Sequence, residues 1–160
     1  VMHTTEYLIE NGFDMQLSTD ATTVTYHDPC RLGRQMGIYE EPRELINAVE
    51  GVDLVEMEHH GEDAMCCGVS SMMSCNENAR ALRVSRMEEI RNTGADMMIT
   101  SCPKCVSHFE CLKFEGDERH DIEILDVVSF LARQVEAKKS LAEEATTQFA
   151  QCSVDFSAEA

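Results

Sequence analysis

The chain has 160 residues, 43% of them hydrophobic, with 13 Lys and Arg against 30 Asp and Glu and a net charge of −17. A chain of this length forms one domain with a core large enough to stand without disulfides. Its acidity excludes a basic nucleic-acid face and argues against docking on an anionic membrane surface. No basic segment followed by an apolar run opens the chain, and its apolar runs are too short to span a bilayer. The expectation is a soluble, cytoplasmic protein. Eight cysteines are too few for a disulfide scaffold of this length, and in a reducing compartment clustered cysteines more often hold metal or do redox work.

In chain order, Thr4 to Glu10 reads as a short amphipathic helix closed by Gly12. Thr22 to Tyr26, β-branched and aromatic, reads as a strand that Asp28-Pro29 stops. Pro42 opens a second helix with Leu45, Ile46 and Val49 on one face, and Gly51 closes it. Val52 to Met57 is the second strand, and Asn76 to Asn92 a helix ending near Gly94. Asp96 to Thr100 is the third strand, stopped by Pro103. Ile122 to Leu125 is the fourth, running into a helix over residues 126–137. Strands separated by helical stretches require crossover connections, which predicts an α/β fold with a mostly parallel sheet. Residues 1–137 make one domain, and 138–160 an acidic, mobile tail.

On this map five cysteines fall just past strand ends: Cys30 after the first, Cys66 and Cys67 after the second, Cys102 and Cys105 after the third. In an open parallel sheet the carboxyl ends of the strands share one edge, where ligands bind. Intervals of 35 residues from Cys30 to Cys66, and of 34 from Cys67 to Cys102, each fit one helix plus one strand. Three segments would then bring five thiols into one pocket. A structural zinc site usually pairs two Cys-x-x-Cys knuckles, but here there is one, with a vicinal pair in place of the other. The closely spaced bacterial ferredoxin run is also absent. Five thiols favour an iron–sulfur cluster; a zinc-binding interaction module and a set of buried small side chains are the alternatives. Cys75, Cys111 and Cys152 follow no strand-end logic and read as packing residues.

His27 lies three residues before Cys30 and is a candidate catalytic proton donor to a departing thiolate. His59 and His60 read as exposed loop residues. Arg31, Arg34 and Lys104 are basic residues within four positions of these cysteines in a strongly acidic chain, hence candidates for binding an anionic group of a substrate. Arg34 could instead pair with Glu40 and Glu41.

The pattern Cys30, Cys66-Cys67-Gly68 and Cys102-Pro103-Lys104-Cys105 resembles the CCG cysteine-rich domain. So do the stretches from Tyr26 to Arg34, from Tyr39 to Arg43 and from Ile124 to Val127. That domain occurs in the B-type and D-type chains of heterodisulfide reductase, and in iron–sulfur subunits of glycolate oxidase and anaerobic glycerol-3-phosphate dehydrogenase. The run from Tyr26 to Pro42 is most similar to the D-type chain. The resemblance covers residues 1–137. It implies that Cys30, Cys66, Cys67, Cys102 and Cys105 ligate a non-cubane [4Fe-4S] cluster that reduces a coenzyme M–coenzyme B-type heterodisulfide. Implied partners are a ferredoxin-type iron–sulfur subunit, a flavin or cytochrome subunit, a second CCG domain and a small-molecule disulfide, in a soluble part of a membrane-associated complex. The alternative it implies is a non-catalytic electron-transfer subunit of a flavin-dependent dehydrogenase. Val69 to Met73 stands where the family often carries a Gly-rich loop, and the chain has one Cys-Cys-Gly motif.

Overall fold

The computed structural model describes residues 1–12, 17–69, 76–116 and 122–135. The expected acidic tail, Cys75, Cys152 and residues 70–73 of the loop after Gly68 lie outside the described residues.

Helix α1 (Thr4–Glu10) starts at a capping box in which Thr5 N–H donates to the His3 ring and His3 N–H to the Glu6 carboxylate. Strand β1 runs from Ser18 to His27, longer than the β-branched stretch alone predicts. A short turn of helix α2 (Gly33–Met36) and helix α3 (Glu40–Asn47) lead to β2 (Glu50–Leu54). A 3-10 turn (Gly61–Asp63) precedes the vicinal cysteines. Helix α4 (Glu77–Asn92) is capped by Asn76, whose side chain accepts from Ala79 N–H. Then come β3 (Met97–Thr100), α5 (Pro103–Phe114), β4 (Glu123–Asp126) and a closing helix α6 over residues 127–135.

Helix α5 is absent from the elements expected from sequence. Pro103 does end β3, but it also sits at the first position of a helix, where its missing N–H costs nothing.

All four strands are parallel, in the order β2-β1-β3-β4, with Val24 opposite Leu54, Tyr26 opposite Ile99 and Ile99 opposite Leu125. Alternate residues of the strands feed two cores. Val24, Tyr26 and Ile99 pack with Leu45, Ile46 and Phe130, the face of α3 and α6. Met98 and Ile124 pack with Met87, Ile90, Phe109 and Leu112, the face of α4 and α5. The chain leaves β1 for β2 on one side and returns to β3 on the other, so the connections diverge between β1 and β3. That divergence opens a crevice at the carboxyl ends of the strands, and the segments carrying Cys30 and Cys102 flank it.

One buried ion cluster ties the loop segments together. The Asp28 carboxylate accepts from Arg43 at 2.8 and 2.9 Å and from Gly61 N–H at 2.8 Å. Arg43 also donates to Glu56 and to the Tyr39 carbonyl and lies 5.0 Å from the centre of the Tyr26 ring. Asp28 precedes Cys30 by two residues and Gly61 precedes Cys66 by five, so this cluster sets two cysteine-bearing segments relative to each other.

Candidate metal centre

Cys30, Cys67, Cys102 and Cys105 line one cavity of about 150 Å³ together with Pro29, Arg31, Gln35, Val69 and Lys104. Three segments supply the four sulfurs, as the strand-end placement predicts. Cys66 lies beside them: its charge, with those of Cys67 and Cys102, adds to burial in pushing the Cys30 thiol up. Its sulfur accepts from Gly68 N–H at 3.3 Å.

The sulfurs share protons. Cys105 S–H donates to Cys67 Sγ at 3.3 Å. That bond, with a further one from His27, draws the buried Cys67 thiol down to about 4, while its bonds to Cys102 and Cys67 hold Cys105 protonated. Cys102 directly precedes α5. A bond from Cys105 and the backbone N–H groups of Cys105 and Lys104 bring its thiol down to about 6 against the effect of burial. In the metal-free chain, iodoacetamide is therefore expected to label Cys102 before Cys30. The Cys102 rate should fall as pH is lowered through about 6, where its thiolate takes up a proton. Peptide mapping by mass spectrometry checks the order, and earlier labelling of Cys30 would contradict these environments.

The donor set fits an iron–sulfur group. Among the described residues the cavity wall offers soft thiols and no carboxylate, the chemistry that selects such clusters or zinc over harder ions. Two thiolates on one tetrahedral ion, at about 2.3 Å from it, lie about 3.8 Å apart. The Cys67–Cys105 pair needs to open by only about half an ångström from its S–H···S contact to reach that separation.

His27, Cys67 and Cys105 offer three ligand atoms within 4.8 Å of one another. His27 is nevertheless not placed as a ligand. It is 1% exposed, its ring is edge-on to Phe109 with centroids 5.2 Å apart, and its Nδ1 accepts from Arg86 Nε at 3.2 Å. A guanidinium carries donors only. The Nδ1 lone pair is therefore taken up by Arg86. Burial, and secondarily the Arg86 charge, lower the His27 pKa and keep the ring neutral.

Arg31 and Lys104 stand on the cavity wall. Arg34 donates to the Ala64 carbonyl at 2.8 Å, fastening the segment before Cys66, and its charge partly offsets the rise of the Cys30 thiol. Arg34 thus bonds to Ala64 rather than making the pairing with Glu40 or Glu41 considered from sequence. His59 and His60 are exposed as expected, though each has a partner, Glu89 and the Met57 carbonyl respectively. Cys111 donates to the Ser107 carbonyl and lines a wider, neighbouring cavity of about 400 Å³ that shares Val69 and Lys104 with the first.

Gly68 closes the vicinal motif at φ +92°, and a Cβ built there would lie 2.3 Å from the Ala79 carbonyl oxygen at the start of α4 and 3.1 Å from His108 Nε2. Gly68→Ala is expected to cost at least about 1–3 kcal/mol in backbone strain, before the shift of α4 is counted. Thermal melts and iron content after reconstitution check this; a variant that melts and loads like the parent would refute the close approach.

The groups behind the sulfurs are not foreseen from sequence. Arg83 and Arg86 of α4 are both fully buried, Arg86 against His27 and Glu89, Arg83 against His108 and Glu115. From sequence their stretch is marked only as a helix; the one signal of their burial is their spacing, which puts Arg83, Arg86, Met87 and Ile90 on one face.

An all-parallel α/β domain with converging thiols at the carboxyl ends of its strands defines a redox-type metal-binding domain. The chain belongs to the CCG cysteine-rich domain family, whose family model matches residues 24–110. It is 34% identical over 139 residues to the D-type chain of the dihydromethanophenazine:CoB–CoM heterodisulfide reductase of Methanosarcina acetivorans, covering 83% of this chain and 33% of that protein. It is 34% identical over 134 residues to the B-type chain of the fumarate reductase (CoM/CoB) of Methanothermobacter marburgensis, covering 82% of this chain and 26% of that one. It is 34% identical over 140 residues to the "Probable iron-sulfur-binding oxidoreductase FadF" of Bacillus subtilis, covering 84% and 20%. The chain thus spans a fifth to a third of the length of these curated relatives. The first two are named as subunits of reductases and the third as an iron–sulfur-binding oxidoreductase.

Proposed function

We propose that this chain is the iron–sulfur redox domain of a heterodisulfide reductase-like complex. Cys30, Cys66, Cys67, Cys102 and Cys105 hold a non-cubane [4Fe-4S] cluster, and the reaction is reduction of a coenzyme M–coenzyme B-type heterodisulfide. The observation that carries the reading is the convergence of four thiols from three segments on one cavity that also has Arg31 and Lys104 in its wall. When bound, the cluster supplies one-electron transfer to a substrate sulfur. Arg31 and Lys104 bind the anionic group of one thiol half, while Arg34, fixed on Ala64, partly offsets the rise of the Cys30 thiol. His27 is buried beside Cys67, away from the cavity wall. Reducing one disulfide takes two electrons and two protons and releases two thiols. The electrons come from a ferredoxin-type subunit fed by a flavin or cytochrome subunit, and the second thiol half is held by a second CCG domain. The assembly works in the cytoplasm, against a membrane complex; no described helix is long and apolar enough to cross a membrane.

A second reading, a non-catalytic electron carrier beside a flavin-dependent dehydrogenase, is favoured by the similarity, 38% identity over 105 residues, to a protein of Chromohalobacter salexigens named a probable membrane-anchored ferredoxin. Anaerobic reconstitution with iron and sulfide, metal and sulfide counts, and electron paramagnetic resonance of the oxidised form with and without coenzyme M or coenzyme B separate the two. About four irons and a new thiol-dependent signal are expected. Four irons indifferent to thiols would favour the carrier, and zinc without sulfide would overturn both.

A further inference from the structure

Arg86 is among the largest buried side chains of the chain, with no exposed surface. Burying a guanidinium is costly unless it is paired and hydrogen-bonded. Its NH1 donates to the Glu89 carboxylate at 2.6 Å and to the His59 carbonyl at 2.8 Å. Glu89 is itself held by the His59 backbone N–H and ring. These contacts fix the guanidinium, and its remaining directed bond is Nε–H to Nδ1 of His27.

We infer that Arg86 is a positioning residue. By donating to Nδ1 it locks His27 in the Nε2–H tautomer, so that His27 serves as an N–H donor to the Cys67 sulfur and is barred from ligating metal.

The lock itself is a property of the protein alone; only its redox consequence rests on the proposed cluster. An N–H···S bond to a ligating thiolate withdraws electron density from the sulfur and favours the reduced state, one of the levers by which proteins set cluster potentials. Three features isolate the lock. Arg86 cannot reverse the bond, because it has no acceptor. The ring is pinned edge-on by Phe109. Finally, a ring nitrogen of His27 lies within 4.8 Å of the Cys67 sulfur, and Cys67 is 2% exposed, so a bond between them is shielded from water.

The test uses the full chain labelled with 15N-histidine. Ring 15N shifts read the tautomer directly in the chain as prepared without metal. In the iron-loaded, reduced chain, electron–nuclear double resonance reads whether His27 has one weakly coupled nitrogen and an exchangeable proton near the cluster. Expected are Nε2–H in the first and weak coupling in the second. An Nδ1–H ring, or the strong coupling of a directly ligating nitrogen, would overturn the inference.

Arg86→Lys keeps a donor-only cation and should keep the tautomer. Arg86→Gln, whose carbonyl can accept, should allow Nδ1–H to appear and shift the reduction potential negative. Loss of a buried charge could shift the potential by itself, so Arg86→Met is also made in a His27→Phe background. The shift should be clearly smaller there; an equal shift would mean that Arg86 acts by charge alone, and the inference falls. Because the tautomer is read without a cluster, failure to bind iron would sink the proposed function and leave this inference to stand or fall on the ring shifts.

Discussion

Cys67→Ser is expected to abolish iron loading, leaving less than about a tenth of the iron that the unsubstituted chain retains after anaerobic reconstitution, because a buried soft ligand is lost. Cys67 sits at the centre of the sulfur group: Cys105 donates to it, His27 faces it, and it is 2% exposed. Its thiol environment is arranged for the anion, the form that binds metal. A serine hydroxyl is about as large but stays protonated in the same place and is a harder, poorer donor to iron. The matched control is Cys111→Ser. Cys111 lies in the neighbouring wider cavity and donates to the Ser107 carbonyl, so its replacement should leave iron content unchanged. Iron and sulfide analysis of both variants decides the matter. Full loading of Cys67→Ser would remove this sulfur from the ligand set, and equal loss in both variants would point to general destabilisation instead.

The other large effect is expected away from the sulfurs. Asp28→Asn should destabilise the fold by about 3–5 kcal/mol, the usual consequence of removing one partner of a buried ion pair. Asp28 is 4% exposed and accepts three hydrogen bonds, two from Arg43 and one from Gly61 N–H. An amide has one accepting oxygen, so one guanidinium donor loses its partner, and Arg43 keeps only the more exposed Glu56 as counter-charge. For a domain of this size such a loss lowers the melting temperature by on the order of 10 °C. Because Asp28 joins the segments before Cys30 and before Cys66, iron loading should also slow at temperatures where the variant is still folded. Calorimetry and the rate of cluster formation measure the two effects. A melting temperature within about 2 °C of the parent would mean that the Asp28–Arg43 pair contributes no net stability, as some ion pairs do not.

The two substitutions act on features of different legibility. Cys67 stands out in the sequence because a vicinal Cys-Cys followed by Gly, with further cysteines one helix and one strand away on either side, is a local pattern with a fixed spacing. Asp28 and Arg43 do not. Asp28 reads as the residue before a turn proline and Arg43 as one more charge on a helix, and nothing in a one-dimensional pattern records that they meet. Helix α5 is hidden for a related reason. Pro103 reads as a stop signal for β3, although a proline that ends a strand serves equally as the first residue of a helix. The cost of that ambiguity is specific, since Cys105, His108 and Phe109 owe their burial to this helix.

By itself, the sequence determined the α/β class, the four strands to within a few residues, and the arrival of five cysteines at strand ends. These follow from short-range physics: β-branched runs, caps, breakers and the length of chain that a crossover consumes. The tertiary structure alone decided that β1 lies beside β3, which opens the crevice next to Cys30 and Cys102. It alone decided that two arginines of α4 lie buried behind the vicinal cysteines, and that His27, bonded by Arg86, lies beside Cys67. Strand order and charge burial depend on which surfaces meet across the whole chain. A buried Arg86 is tolerated only because Glu89, the His59 carbonyl and His27 surround it, and the last two reach it from other parts of the sequence.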